Sequence, residues 1–287
     1  MTKINPKIQK NAMLILSTFL ITLLALFFLF PLVWMIVSSL KNEASIYKDM
    51  TSWHAFVPSL DFKTWLNNYA NLFQRFDIFR YIGNSILYAS CVTAGSVIIN
   101  SLAGYGFACF KFKGKKFLFG LLLATLVIPG ETILIQQFQI AKNLGILNTI
   151  LAVILPGLAS PFYIYMFKNF FEAIPDDMIE SAQLEGASMF RIYWQIMLPM
   201  AKPAVATVGT LTFIGSWNDY LWPLMVLTDS NKFPLQVAIT NINNTQPVYM
   251  NQVMALLTIS TIPLIIIYIV FQKYLVQGMG NVGTGVK

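Results

Sequence analysis

The sequence predicts an all-α integral membrane protein with six transmembrane helices, on three observations. Hydrophobic residues make up 56% of the 287-residue chain and charged residues 11%, whereas a soluble domain carries about 25% charged residues. The apolar residues gather into segments close to the roughly 20 residues that cross a bilayer as helix. The strict alternation of a barrel strand is absent, and lipid offers backbone amides no partners, so each span must satisfy its own as helix.

The spans are read at residues 12–37, 82–107, 117–138, 149–171, 204–227 and 253–274, within a single transmembrane domain over 1–287. The first follows Lys3, Lys7 and Lys10 as a secretion signal would, yet its apolar run from Met13 to Phe30 exceeds a signal core and no small-x-small site follows. It is expected to stay as an anchor. In the second, Asn84 and Asn100, with Gly104 and Ala108 continuing at four-residue spacing, predict a close helix–helix contact of the small-residue kind. Cys91 and Cys109 stand 18 residues apart, about 27 Å along a helix, beyond disulfide reach; they read as inert thiols.

Polar residues inside spans three and five are the exceptions. Glu131 lies beside Pro129-Gly130, and "WNDYLW" places Asn218 and Asp219 within span five. A charge at mid-bilayer costs about 2.5–3.5 kcal/mol on insertion scales, so it should face protein or water. Two readings stay open. Trp217, Asn218, Asp219, Tyr220 and Glu131 line a translocation path, or Asp219 supports packing near the interface with Trp217 and Trp222 in the aromatic belt.

Orientation follows the basic residues. With the N-terminus inside, twelve Lys and Arg fall on the inner side (Lys3, Lys7, Lys10, the four lysines of "KFKGKK" at 111–116, Lys168, Arg191, Lys202, Lys273 and Lys287) and seven on the outer. Both termini are therefore expected in the cytoplasm, and the protein in the cell membrane as a multi-pass chain. The net charge of +7 reads as an inner rim of lysines against membrane lipids with anionic headgroups. No basic patch interleaved with stacking aromatics points to nucleic acid. Outer residues 38–81, with Trp53, Phe56, Trp65 and Tyr69, are long enough to form a contact surface, and 228–252 are polar and asparagine-rich. The sole histidine, His54, has no metal-ligating partner in the sequence pattern, and no metal or catalytic site is read.

The inner connection at 172–203 is the one segment that is neither membrane filling nor ordinary loop. Asp177, with Glu180 three residues on, is expected to cap a helix beginning near Met178. Glu185-Gly186 closes it, because glycine best takes the left-handed conformation that ends a helix. Ser188 caps a second helix, in which Phe190, Tyr193, Trp194 and Met197 recur as one apolar stripe, and Pro199 limits it. Such an elbow can lie in the headgroup region or dock into a protein groove. Five acids and no base over residues 172–185 favour a protein partner.

"ESAQLEGA", eight further residues and "IMLP" resemble the EAA loop of ATP-binding cassette (ABC) importer permeases. Glu180, Ser181 and Ala182 stand for the triplet, Gly186 for its glycine, and Leu198 and Pro199 for the close. Ser181 departs from the usual alanine and Glu185 from the common aspartate. "NSILYASCVTAGSVIINSLAGYGFACFKFKGKK", "LVIPGETILIQQFQIAKNLGILNT", "GSWNDYLWPLMVL" and "QKYLVQGMGNVGTGVK" extend the likeness over nearly the whole chain, to the carbohydrate-uptake branch and its shorter, second maltose-type permease. The resemblance implies a second, homologous permease chain, two cytoplasmic ABC ATPases that bind ATP and Mg, and an extracellular solute-binding lipoprotein. It assigns ATPase coupling to Glu180, Ser181, Ala182, Glu185, Gly186, Ala187, Phe190, Tyr193, Leu198 and Pro199, and implies sugar import by alternating access.

The chain itself contains no G-x-x-x-x-G-K-[ST] phosphate loop, so it is read as a transporter subunit without its own ATPase site or cofactor. An ion-coupled secondary transporter is the alternative, and would need midplane carboxylates such as Glu131 and Asp219. A membrane-embedded enzyme fits less well, for there is no HExxH, no paired catalytic carboxylate and no Cys/His cluster.

Overall fold

The computed structural model describes residues 6–283, and every regular element within them is helical. Lys3, Lys287 and the last four residues of the C-terminal motif lie outside the described residues. In chain order the helices are α1 (Pro6–Ser39), α2 (Glu43–Asp49), α3 (Phe62–Arg75), α4 (Ile78–Cys109), α5 (Lys115–Ala124), α6 (Leu134–Asn143), α7 (Ile150–Ile154), α8 (Pro161–Glu172), α9 (Asp176–Leu184), α10 (Met189–Ile192), α11 (Leu198–Met200), α12 (Lys202–Asn218), α13 (Leu221–Val226), α14 (Leu235–Asn244) and α15 (Met250–Gly283).

Among the described residues, three uninterrupted stretches are long and apolar enough to cross a membrane: Met13–Ser39, Ile78–Cys109 and Met250–Tyr274. They coincide with the first, second and sixth expected spans. The others are bent or broken. In place of one helix over 117–138, Lys115–Val127 and Gly130–Asn143 meet at 96°. Pro129 supplies no amide and pushes Ile128 out of the helical region to φ −82°, ψ 116°, as the residue before a proline is pushed. Within 149–171, Ile150–Gly157 and Pro161–Glu172 meet at 49° around Pro156-Gly157 and Pro161. The helix expected over 204–227 stops at Asn218, because Asp219 is extended at φ −67°, ψ 122°, and resumes at Leu221. Counting each bent pair as one span gives up to six.

The contacts group into two compact units. One comprises residues 1–77 and 242–261. Its organising group is Lys41, 3% exposed, which donates to Asp49 Oδ2 at 2.8 Å and the His54 carbonyl at 2.6 Å. That ammonium holds the Asp49 carboxyl below the usual carboxylate range. Asn68 donates to the Ser39 and Lys41 carbonyls, while Glu43 accepts from the Met250 and Asn251 amides, which are free at the first turn of α15. His54 stacks on Trp53, ring centres 4.1 Å apart.

The other unit comprises residues 78–241 and 262–287. Its axis is α4, whose Ser85, Ala89, Val92, Ser96, Asn100 and Gly104 form a buried stripe of mostly small residues. Small side chains let helix backbones approach closely, and here they admit α8 and α12. A Cβ added at Gly104 would sit 2.6 Å from Phe167 Cβ and 2.9 Å from the Lys168 nitrogen, so the expected contact on this face is present. Asn100 does more than pack. Its amide donates to Ser96 and to the Leu158 carbonyl, and its oxygen accepts from the Ser160 amide at 2.8 Å. It thereby satisfies backbone groups that the α7–α8 break leaves without helical partners. Asn84 instead donates to the carbonyls of Asn231 and Phe233, holding a connection rather than a helix.

Candidate functional site

The elbow between α8 and α12 is built by local rules. Helix α9 begins directly after Pro175 with Asp176 and Asp177 in its first turn, where acids suit the positive helix end. Asp177 makes no capping bond, so the expected cap is replaced by a proline-defined start. At the other end Gly186 has φ +81°, with its amide on the Gln183 carbonyl and the Ala187 amide on the Ala182 carbonyl, both at 2.9 Å. This bond pair is the Schellman arrangement that seals a helix. No atom lies within 4 Å of a Cβ added at Gly186. Within this chain the glycine is required by backbone conformation and not by crowding.

Ser188 accepts from the Arg191 amide at 3.3 Å and starts α10, as expected. The helix then widens into a π turn over Tyr193–Met197, with the Leu198 amide reaching the Tyr193 carbonyl. Pro199 cannot donate and would press on the carbonyl four residues back in a regular helix; the wider turn removes that conflict. The helix therefore passes through Pro199 to Met200 instead of stopping, and turns by 79° into α12.

The expected stripe divides into two faces. Tyr193 and Met197 are buried with Ile192 against Tyr105, Phe167 and Phe171, and the Tyr193 hydroxyl lies 2.8 Å from Ser101 Oγ. Tyr105 donates to the Met189 carbonyl at 3.0 Å. Phe190 and Trp194 are 70% and 55% exposed. Tyr193 is thus an anchor into α4 and cannot fill a partner's groove, whereas Phe190 can. Glu180, Ser181, Glu185, Gly186 and Pro199 are exposed, Ala182 is buried, and Ala187 and Leu198 are half-buried against the core. The sequence reading missed Leu184, 90% exposed, set between Glu180 and Glu185; an apolar residue two positions before the helix-closing glycine was the available signal.

The polar residues expected along a path are only partly brought together. Glu131 and Asp219 line one cavity of about 520 Å3, together with Gln137, Ser160, Tyr163, Thr212 and Ser216. Trp217 does not reach it: it is 1% exposed and stacks on Phe213 at 5.9 Å, a packing role. Asn218 spans the Ile214 carbonyl and the Gln236 amide, and neither it nor Tyr220 lines the cavity. Asp219 Oδ1 accepts from the Trp222 amide at 3.4 Å, so this acid also restarts the helix after the break. Trp222, in turn, donates its indole N–H to the Ala152 carbonyl at 2.8 Å. Among the described residues no group of three or more His, Cys, Asp or Glu is arranged to hold a metal.

The family model for the binding-protein-dependent transport system inner membrane component matches residues 4–281. The arabinooligosaccharides transport system permease protein of Bacillus subtilis (strain 168) is 31% identical over 268 residues, 91% of this chain and 92% of that protein. The lactose transport system permease protein of Rhizobium radiobacter is 27% identical, with 90% and 92% covered. The sn-glycerol-3-phosphate transport system permease protein of Yersinia pestis bv. Antiqua (strain Antiqua) is 31% identical, with 68% and 70% covered. Among solved structures, a chain of a bacterial ABC transporter involved in the import of the acidic polysaccharide alginate shares the fold, with a TM-score of 0.81 at 24% identity over 96% of this chain and 99% of that one.

Proposed function

The chain belongs to the family of binding-protein-dependent transport system inner membrane components, a permease with no ATPase site of its own, and we propose that it carries a sugar or short oligosaccharide inward by alternating access. The observation that carries the reading is the elbow. A glycine-sealed turn displays Glu180, Glu185, Leu184 and Phe190 to a partner while Tyr193 and Met197 fasten its second helix to α4 and α8. A lever transmits displacement only if its base is stiff, and buried aromatic packing with a satisfied hydroxyl supplies that stiffness.

In this reading the spans number six, both termini and the 172–203 connection are cytoplasmic, and the chain sits in the cell membrane beside a homologous permease. Two cytoplasmic ABC ATPases, which bind ATP and Mg, grip one elbow on each permease. An extracellular solute-binding lipoprotein delivers the solute. Exposed acids on the elbow meet bases on the ATPase, and Phe190 with Leu184 enters its groove as helix-in-groove contacts do. ATPase closure pulls on the elbow and tilts α12 and the helices packed on it. Glu131 and Asp219, on the walls of the cavity, line the path. Sugar as substrate rests on the arabinooligosaccharide and lactose permeases named above. Neither they nor the glycerol-phosphate permease is described as an ion-coupled carrier, and the ion-coupled alternative gains no support.

Gly186→Asp tests the reading. It places a β-carbon and a third acid at a φ of +81°, a conformation costing a non-glycine residue about 1–2 kcal/mol, on the surface assigned to the ATPase. Uptake of the transported sugar should be lost while the complex remains in the membrane. Uptake at the wild-type rate would refute the assignment.

A further inference from the structure

The cavity beside α12 has a chemistry of its own. Two carboxylates, Glu131 and Asp219, and the neutral donors and acceptors of Gln137, Ser160, Tyr163 and Ser216 line its walls, and among the described residues no Lys, Arg or His does. Thr212 is 7% exposed, and its hydroxyl, beside the Tyr163 phenol, makes no hydrogen bond of acceptable geometry. A buried hydroxyl with no better partner than a poorly directed phenol is costly unless something else satisfies it, and this one lies in the cavity wall. At about 520 Å3 the volume falls in the roughly 300–1,000 Å3 range of small-molecule sites. Trp222 closes one side of the cavity, with its indole nitrogen engaged by Ala152 and its ring packed in the core beside Val153 and Val226.

We propose that this cavity is a saccharide subsite that accepts a neutral sugar unit and rejects one bearing a carboxylate or phosphate. The proposal rests on the permease reading above and narrows its substrate. Membership of the family leaves charge open, since the relatives include permeases named for arabinooligosaccharides, for lactose and for a sugar-alcohol phosphate. Carboxylates accept hydrogen bonds from sugar hydroxyls, and Thr212, Ser160 and Gln137 can both donate and accept. An anionic unit finds no cation among the described residues of this lining to pair with and meets two like charges, Glu131 exposed and Asp219 half-buried, the arrangement that discriminates by repulsion.

The test uses the complex purified with its co-expressed partners in lipid nanodiscs. Cys91 and Cys109 are replaced by Ser, and Ser216→Cys is introduced so that its thiol reports on the cavity through reaction with a small maleimide. Arabinotriose and maltotriose serve as neutral probes and trigalacturonate as the anionic one. A neutral trisaccharide should protect the introduced thiol at a concentration about tenfold or more below trigalacturonate, consistent with the size of like-charge discrimination. Glu131→Gln with Asp219→Asn, which keeps an oxygen for the Trp222 amide, should shrink that gap to about threefold or less, and Thr212→Val should weaken protection by the neutral sugar with thermal stability unchanged.

The proposal is overturned if trigalacturonate protects as well as the neutral sugars in the parent, if neither neutral probe protects, if the introduced thiol is never labelled, or if the gap survives the double substitution. Each of these results leaves the permease reading standing, provided Gly186→Asp still abolishes uptake; transport by that variant would sink the reading itself.

Discussion

The elbow and the cavity belong to the same compact unit and were assembled in opposite ways. The elbow is local: a proline start, a left-handed glycine and a serine cap follow one another within fourteen residues from Pro175 to Ser188, and each acts on backbone groups no more than five residues away. The cavity is non-local. Its walls come from α4, the α5–α6 break, the α7–α8 break, the end of α12 and the start of α13, and it exists because helices are interrupted where continuous ones were expected. A force-bearing element benefits from a geometry that neighbours in sequence enforce. A solute site needs polar groups and backbone exposed inside an apolar fold, which helix breaks provide when they line a cavity.

If this contrast holds, substitutions that reach the shared α4–α8–α12 core should damage both regions, while those on the outer face of the elbow should damage transmission alone. The largest loss is expected from Gly104→Val, because even a Cβ there meets Phe167 Cβ at 2.6 Å; overpacking of this kind costs about 1–3 kcal/mol, and backbone at 2.9 Å points to the upper end. Lowered thermal stability in detergent and reduced ATPase activity should appear together. Asn100→Leu follows, at about 1–3 kcal/mol for leaving the Ser160 amide and Leu158 carbonyl unpaired, with faster labelling of a cysteine introduced at Ser160 as the local readout.

Tyr193→Phe comes next. It removes the 2.8 Å bond to Ser101 and should cost about 0.5–1.5 kcal/mol, with transport retained, since the ring stays packed. Phe190→Ala should shift stability least, within about 0.5 kcal/mol as exposed positions do, yet weaken association with the ATPase in pull-down from membranes. Equal stability losses at Tyr193 and Phe190 would dissolve the distinction between anchor and display face.

The same contrast governs what the sequence disclosed. Gly186 and Ser188 were legible because each residue's backbone preference is strong and acts locally. The inward turn of Tyr193 was not, because a regular 3.6-residue period puts Phe190, Tyr193, Trp194 and Met197 on one face, while the π turn at Tyr193–Met197 changes the register and the Ser101 partner lies 92 residues away. For the cavity, Glu131 and Asp219 stood out as acids in apolar runs. Thr212, Tyr163 and Gln137 did not, since nothing local distinguishes them from packing residues. A usable signal was present: Pro129-Gly130 and Pro156-Gly157 interrupt successive spans, and interrupted spans are the best pointer to a midmembrane site. Trp217 misled for the opposite reason. Its place in "WNDYLW" suggested a path, and its indole is spent on Phe213 inside the core.

The most direct test of the elbow's role uses Leu184, the most exposed apolar side chain on it. Leu184→Cys in the assembled transporter, treated with a short thiol–amine cross-linker, should join this chain to a separate ABC ATPase, with the yield changing between nucleotide-free and ATP-trapped states. Capture of lipid alone, or of no ATPase in either state, would contradict the account.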